Sequence, residues 1–434
     1  MSVIRPKDRD LIVQALRAGV VPRAGQQLIQ VGRVREVQTM LQDIERIGQG
    51  GAVFRIIIGE YGAGKTFFLN LVRAIALQQK LVTAHGDLNP DRRLHGSGGQ
   101  ARSLFAELMK NVSTRAKPDG GALGNVVEKF VAESRTDAKS QNVPSEAIIR
   151  SRLSPLTDMV GGYDFTAVIA QYARGFEERN DSLLADAVRW LRGEFTTKTE
   201  ARATLGVRTI IDDDQVYDHL KLFARFVRLA GFGGLLVCMD ELVNLYKLAN
   251  RQARDSNYEQ ILRILNDVLQ GNTEGVGVLL GGTPEFLLDP KRGLFSYPAL
   301  QRRLAENTFA AQTGLTDFSG PVLRLTSLTQ EDFYVLLQRL RHVFAYGDSA
   351  KYLLPDEGIA AYMAHTAQRL GEAYFRTPGT TITSFLGLLA LLEQHPGTDW
   401  RALVGTVQLE ADTGAAKERT VEEGDELASF KLGT

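Results

Sequence analysis

The chain has 434 residues, 44% hydrophobic and 24% charged, with 51 basic residues against 51 acidic ones. That is globular composition with ample material for a large core, and zero net charge excludes a global basic field, so any nucleic-acid contact must come from a local patch. The single cysteine, Cys238, excludes an intrachain disulfide and suits a reducing cytoplasm, while the charge-broken N-terminus and the lack of any uncharged apolar run near ~18 residues argue against a signal peptide and a membrane span.

Residues 1–50 open with a predicted helix, RDLIVQALRAG, ended by Gly19 and followed by a turn at Pro22–Gly25. After a short extended piece, Val34, Val37, Met40, Leu41 and Ile44 recur at helical spacing up to Gly48, Gly50 and Gly51. AVFRIII, KTFFLNLVRAIALQQK and LVTAHGDL then read as strand, helix and strand, and the nearly continuous apolar runs are those of buried parallel strands. They form the first part of an α/β core, residues 51–99. From 100 to 231 the pattern turns helical, from QARSLFAELMKNV to DDQVYDHLKLFARFVRLAG, with looser stretches at 112–124 and 136–145. A strand–helix–strand crossover needs only ~30 residues, so this stretch is a helical insertion. The core resumes over 232–325 with the strand GGLLVCMDEL, the helix NYEQILRILNDVLQG, the strand GVGVLLGGTPEF and a short PVLRLTSL. A helical unit follows over 326–395, opened by Thr329 and Asp332 as a capping pair. The tail, 396–434, is polar and acidic until ELASFKL, which could dock as an extended peptide.

One stretch concentrates backbone freedom between a strand and a helix: GEYGAGKT, from Gly59 to Thr66. Gly59, Gly62 and Gly64, with Ala63 between, let backbone N–H groups converge on phosphate oxygens without Cβ clashes. The helix that follows, through Phe67, adds its positive end. Lys65 supplies a point charge to the β- and γ-phosphates of a nucleotide, and the Thr66 hydroxyl is placed to ligate Mg²⁺. The plainer alternative, a glycine-rich turn, does not call for both Lys65 and Thr66. The third strand ends in Asp240 and Glu241, at the edge where ligands of open α/β sheets bind. Asp240 is placed to hold Mg²⁺ through water, and Glu241 to polarise the attacking water.

Thr283, after the fourth strand, could orient that water, or could simply end the strand before Pro284. Arg302 and Arg303, with Arg292 nearby, could reach a neighbouring subunit's phosphates, or could form a solvated helix face. Arg376 could reach back to the nucleotide, or lie on the surface before a turn. The six histidines show no metal-ligand spacing with the cysteine. Two local basic clusters could meet DNA phosphates: Arg189, Arg192, Lys198 and Arg202, and Lys291, Arg292, Arg302 and Arg303.

The order of VGR at Val31–Arg33, phosphate loop, DE, polar strand end, arginine-bearing helix and small helical unit resembles the AAA+ ATPases, especially the Orc/Cdc6-like group. More narrowly, GDLNPDRRLHG, GLLVCMDELVNLYK, GVLLGGTPEFLLDPKRGLFSYPALQRRL and the terminal ELASFKL are similar to the BrxD family of ATP-binding proteins from BREX, the bacteriophage exclusion systems. The resemblance implies an α/β fold: an AAA+ core with a parallel sheet, a large helical insertion between the second and third strands, and a C-terminal helical lid. It implies ATP and Mg²⁺ as cofactors, ATP hydrolysis, a homo-oligomer, and other defence-system proteins as partners. It places Val31, Gly32 and Arg33 on the adenine side, Thr283 as a γ-phosphate sensor, Arg302 or Arg303 as an arginine finger, and Arg376 as a second sensor. Orc-like proteins often continue into a winged-helix DNA-binding domain, for which the residues after His395 are too few. Two functions stay open: an oligomeric motor or loader acting on DNA, and an ATP-controlled switch within a defence complex.

Overall fold

The computed structural model describes residues 4–370 and 378–406. Its five strands are β1 (Ala52–Ile58), β2 (Val82–Asp87), β3 (Leu235–Asp240), β4 (Val276–Gly282) and β5 (Val322–Arg324), in the order β2-β3-β4-β1-β5. Every pairing is parallel, so all the carboxyl ends share one edge. The register sets Ile58 beside Gly282 and Asp87 beside Asp240 on that edge. β1, β3 and β4 are buried along their whole length, as strands covered on both faces must be, which is why they read as nearly continuous apolar runs; the exception within β1, Arg55, is buried in an ion pair with Asp43 at 2.7 Å.

Before and after β1 come α1 (Pro6–Arg17), α2 (Gln26–Ile29), α3 (Val34–Gly48) and α4 (Lys65–Gln78). Between β2 and β3 lie α5 (Gln100–Lys110), α6 (Leu123–Gln141), α7 (Ser145–Thr157), α8 (Gly162–Glu178), α9 (Asp181–Leu191), α10 (Lys198–Leu205) and α11 (Val216–Leu229). β3 leads into α12 (Val243–Tyr246) and α13 (Arg251–Leu269). After β4 come α14 (Pro284–Leu288), α15 (Pro298–Leu304) and α16 (Thr308–Thr313), and after β5 α17 (Gln330–Phe344), α18 (Asp356–Leu370), α19 (Pro378–Gln394) and α20 (Trp400–Thr406).

These elements bury their apolar faces in separate cores. α3 and α4 cover one sheet face, meeting Val53, Ile57, Leu236 and Leu279. The helices of the insertion, with α13, cover the other, meeting Phe54, Ile56, Val237 and Val278. The insertion thus shares one continuous core with the sheet. A further core joins α1 and α2 to α17–α20 through Ile12, Ile29, Phe333, Tyr362, Phe385 and Val404. The two ends of the described chain are therefore packed together.

Several boundaries differ from those the sequence pattern suggests. α6 runs on to Gln141, through part of the stretch read as loose, and α7 continues past Pro155. α13 starts at Arg251, because the Asn250 side chain accepts the Ala253 N–H at 3.1 Å and caps the helix there. Trp400–Thr406 is helical and buries Val404, where a polar tail was expected. The Thr329–Asp332 pair forms the expected reciprocal capping box. ELASFKL lies outside the described residues.

Candidate functional site

Gly59 leaves β1 while its N–H donates to the Gly282 carbonyl at 3.2 Å. The Ala63 N–H closes a tight turn on the Glu60 carbonyl at 3.1 Å. Gly62 and Gly64 lie at φ 77° and 78°, a left-handed conformation that glycine adopts without a Cβ penalty. Gly64 is the N-cap of α4, and no side chain caps that helix. Its first-turn N–H groups and positive end are thus available to an anion. The Lys65 ammonium folds back onto the loop, donating to the carbonyls of Gly59 at 2.8 Å and Glu60 at 3.0 Å. Burial pushes its pKa below the ordinary lysine range, against the pull of Asp240, Glu241, Glu60 and Glu285.

The Thr66 hydroxyl donates to the Asp240 carboxylate at 2.7 Å, so the loop and the end of β3 form one cluster. The other Asp240 oxygen accepts the Glu241 N–H at 2.9 Å. Asp240 fits here because β4 gives way: a methyl on Gly281 would stand 2.2 Å from Asp240 Oδ1. Glu241 sits at φ 61°, a conformation uncommon for a residue with a side chain. Loss of surrounding water, then Asp240 and Asp87, raise its carboxyl above the usual range, although part of the side chain stays exposed. Asp87 ends β2 directly opposite Asp240, and its carboxyl is also raised, by partial loss of water first and then by Asp240 and Glu107, although the residue remains exposed at the strand end. Asp87 is not among the residues expected from the sequence, although it carries the same signal as Asp240, an acid at the end of an apolar strand.

A cleft of about 510 Å³ runs from this acid cluster past the loop to an apolar end that includes Val20, Ile29, Val31, Leu336 and Ile382. That size is usual for a small-molecule site. Among the described residues, no three or more His, Cys, Asp or Glu side chains form a metal cage. Thr66 and Asp240 could still hold an ion that keeps waters and substrate oxygens as its other ligands, as Mg²⁺ does.

The family model for BREX system ATP-binding protein BrxC/D matches residues 4–408. The chain belongs to this family. No curated protein matches it. Among the described residues, no helix is long and apolar enough to cross a membrane.

In this BREX ATP-binding protein the remaining sequence-predicted residues divide into several groups. Val31, Arg33 and Thr283 line the cleft. The Thr283 hydroxyl accepts the Phe286 N–H at 3.4 Å and caps α14, so it ends the strand and faces the cleft at once. Gly32 is not a lining residue; it abuts the Asp332 carboxylate instead. Arg302 and Arg303 are exposed on α15, away from the cleft lining. Arg292 is held by the carbonyls of Tyr246 and Leu248, each at 3.2 Å, and lies over the Tyr246 ring. Arg189 pairs with Glu200 at 2.6 Å and covers Phe195, whereas Lys198 and Arg202 are exposed. Arg376 lies outside the described residues.

Proposed function

We propose that this chain is a Mg²⁺-dependent ATP hydrolase of the AAA+ type, serving as an oligomeric motor or loader that acts on DNA within a BREX defence system. The observation that carries the reading is the 2.7 Å bond from the Thr66 hydroxyl to Asp240, with Glu241 next in the chain and the open N-terminus of α4 facing the same cleft. Bare loop amides and Lys65 take the β- and γ-phosphates, and Val31 and Leu336 border the base. Mg²⁺, when bound by Thr66 and Asp240, neutralises phosphate charge. Glu241 accepts hydrogen-bonding from the attacking water, and Thr283 helps orient it. Arg302 or Arg303 reaches the γ-phosphate of the next protomer, which their exposure on α15 permits. Arg376, from the segment before α19, would serve as a second sensor. The position of β4 between the loop-bearing β1 and the acid-bearing β3 supports the AAA+ assignment.

The test separates binding from turnover. Lys65→Ala should lose ATP binding, measured by titration calorimetry. Glu241→Gln should keep ATP affinity within about threefold yet lose hydrolysis by about 10² or more, the scale expected of a residue positioned for proton transfer. Parental turnover in Glu241→Gln would overturn the assignment of the water-polarising group.

A second reading, an ATP-controlled interaction switch, is favoured by one observation: Arg189 and Arg292 of the two candidate DNA-binding clusters are already engaged within the chain. Stimulation of turnover by duplex or single-stranded DNA supports the motor. Stimulation by defence-system proteins alone supports the switch.

A further inference from the structure

The VGR stretch contains consecutive left-handed residues, Gly32 at φ 59° and Arg33 at φ 54°. A methyl on Gly32 would lie 2.9 Å from an Asp332 carboxylate oxygen, so the absence of a side chain lets the start of α17 come this close. The turn brings the Arg33 guanidinium to the phosphate loop. There Nη2 donates to the Ala63 carbonyl and, at 3.4 Å, to the Thr326 carbonyl just before α17. The same guanidinium backs the next residue, since a methyl on Gly64 would stand 3.4 Å from Arg33 Nη1. Burial lowers the guanidinium's pKa, while Glu36 and Asp332 counter it.

The geometry points to Arg33 as a positioning residue that holds the Ala63–Gly64 peptide in the orientation used for phosphate binding, and links that orientation to the start of α17. A peptide unit is planar, and its C=O and N–H point opposite ways. A guanidinium fixing the Ala63 carbonyl on its own side directs the Gly64 N–H to the other side, where the phosphates sit. The inference rests on the nucleotide reading above and refines it. Arg33 acts on the phosphates through the loop, whereas the family resemblance would put it beside the adenine.

The experiment uses the full chain with Arg33→Ala and Arg33→Lys. Two ligands are titrated by calorimetry: ATP, and inorganic tripolyphosphate, which has no base. Losing a hydrogen bond from a charged donor predicts a fall of roughly 10–100-fold for Arg33→Ala, by the same factor for both ligands. Arg33→Lys should recover part of it, because an ammonium can still donate to the Ala63 carbonyl. Hydrogen exchange of the 59–66 segment, read without any ligand, should be faster in Arg33→Ala. A fall for ATP with tripolyphosphate unchanged would show that Arg33 serves the base and overturn the proposal, as would unchanged affinity for both. If the parent chain bound neither ligand, the nucleotide reading would fail. The ligand-free exchange arm would then still decide whether Arg33 holds the loop, with an unchanged rate overturning it. If Arg33→Ala does not fold, Arg33→Lys is compared with Arg33→Met, whose side chain cannot donate; equal affinity and equal exchange in the two would overturn the proposal.

Discussion

Glu241 combines two costs in one residue. A side chain in the left-handed conformation costs ~1–2 kcal/mol, and its carboxylate lies close to Asp240 and Asp87. Such strain is often kept at functional sites. Glu241→Gly should therefore stabilise the fold, by about 1 kcal/mol in denaturant titration, while removing turnover. The neighbouring Asp87 gives a pH prediction. In the proposed hydrolysis Glu241 would have to be ionised to polarise water, and its pKa is raised, first by burial and then by Asp240 and Asp87. The acidic limb of turnover should thus lie above the ordinary carboxylate range, and Asp87→Asn should move it to lower pH in a pH–rate profile. The sign for stability follows from the same raised pKa values. Each raised carboxyl favours folding below its unfolded pKa, and that contribution is lost as pH rises through the folded value. Asp87→Asn should accordingly stabilise the protein at neutral pH. At this scale what was legible is the gathering of Lys65, Thr66, Asp240 and Glu241 at one cleft, since a glycine-rich loop after one strand and paired acids after another mark the same sheet edge. Arg33 was legible only as part of a motif, because its contact with Ala63 depends on how two distant segments meet.

At the scale of elements, the strands were readable because burial on both faces favours nearly continuous apolar runs, even with Arg55 inside β1. α12, α14 and α16 were not, because helices of four to six residues are too short for a periodic pattern to emerge. The ends of α13 and α6 depended on capping and packing that a periodic pattern does not encode. The glycines of β4 illustrate a constraint on function that lies in the partner strand. Gly281→Ala would place a methyl against Asp240 Oδ1, the oxygen that accepts the Glu241 N–H, so the carboxylate must shift and carry with it the oxygen that accepts from Thr66. We expect Mg²⁺-dependent turnover to fall by about tenfold or more, the size of one lost charge-assisted hydrogen bond, while binding of ATP without Mg²⁺ changes little. Equal losses with and without the metal in calorimetry would place Gly281's effect elsewhere.

For the whole molecule, the cleft lies where the core of α1, α2 and α17–α20 meets the carboxyl edge of the sheet. The leader and the C-terminal helices stand far apart in the sequence, and nothing local signals that Ile12 and Phe385 share a core. A nucleotide that touches both sides should hold them together. ATP at a hundred times its dissociation constant adds ~2.7 kcal/mol to the folded state. Calorimetric melting should therefore show one higher transition with ATP, and no change in Lys65→Ala. A shift confined to part of the unfolding heat would mean that only one side binds.

The strand order also carries a consequence for biosynthesis. β1 is flanked only by β4 and β5, and Ala52 pairs with Val276. At ~5–20 residues per second, a ribosome leaves the loop-bearing strand without a neighbour for roughly 10–45 seconds. The insertion, β3 and α13 emerge in that interval, and it is α13, made before β4, that packs on β1 from the side of Phe54 and Ile56. The nascent β1 thus has α3 on one face from the start and gains α13 on the other before either neighbouring strand is made. Since Asp240 joins Thr66 only once β3 is made, nucleotide could grip the chain only after most of it had left the ribosome.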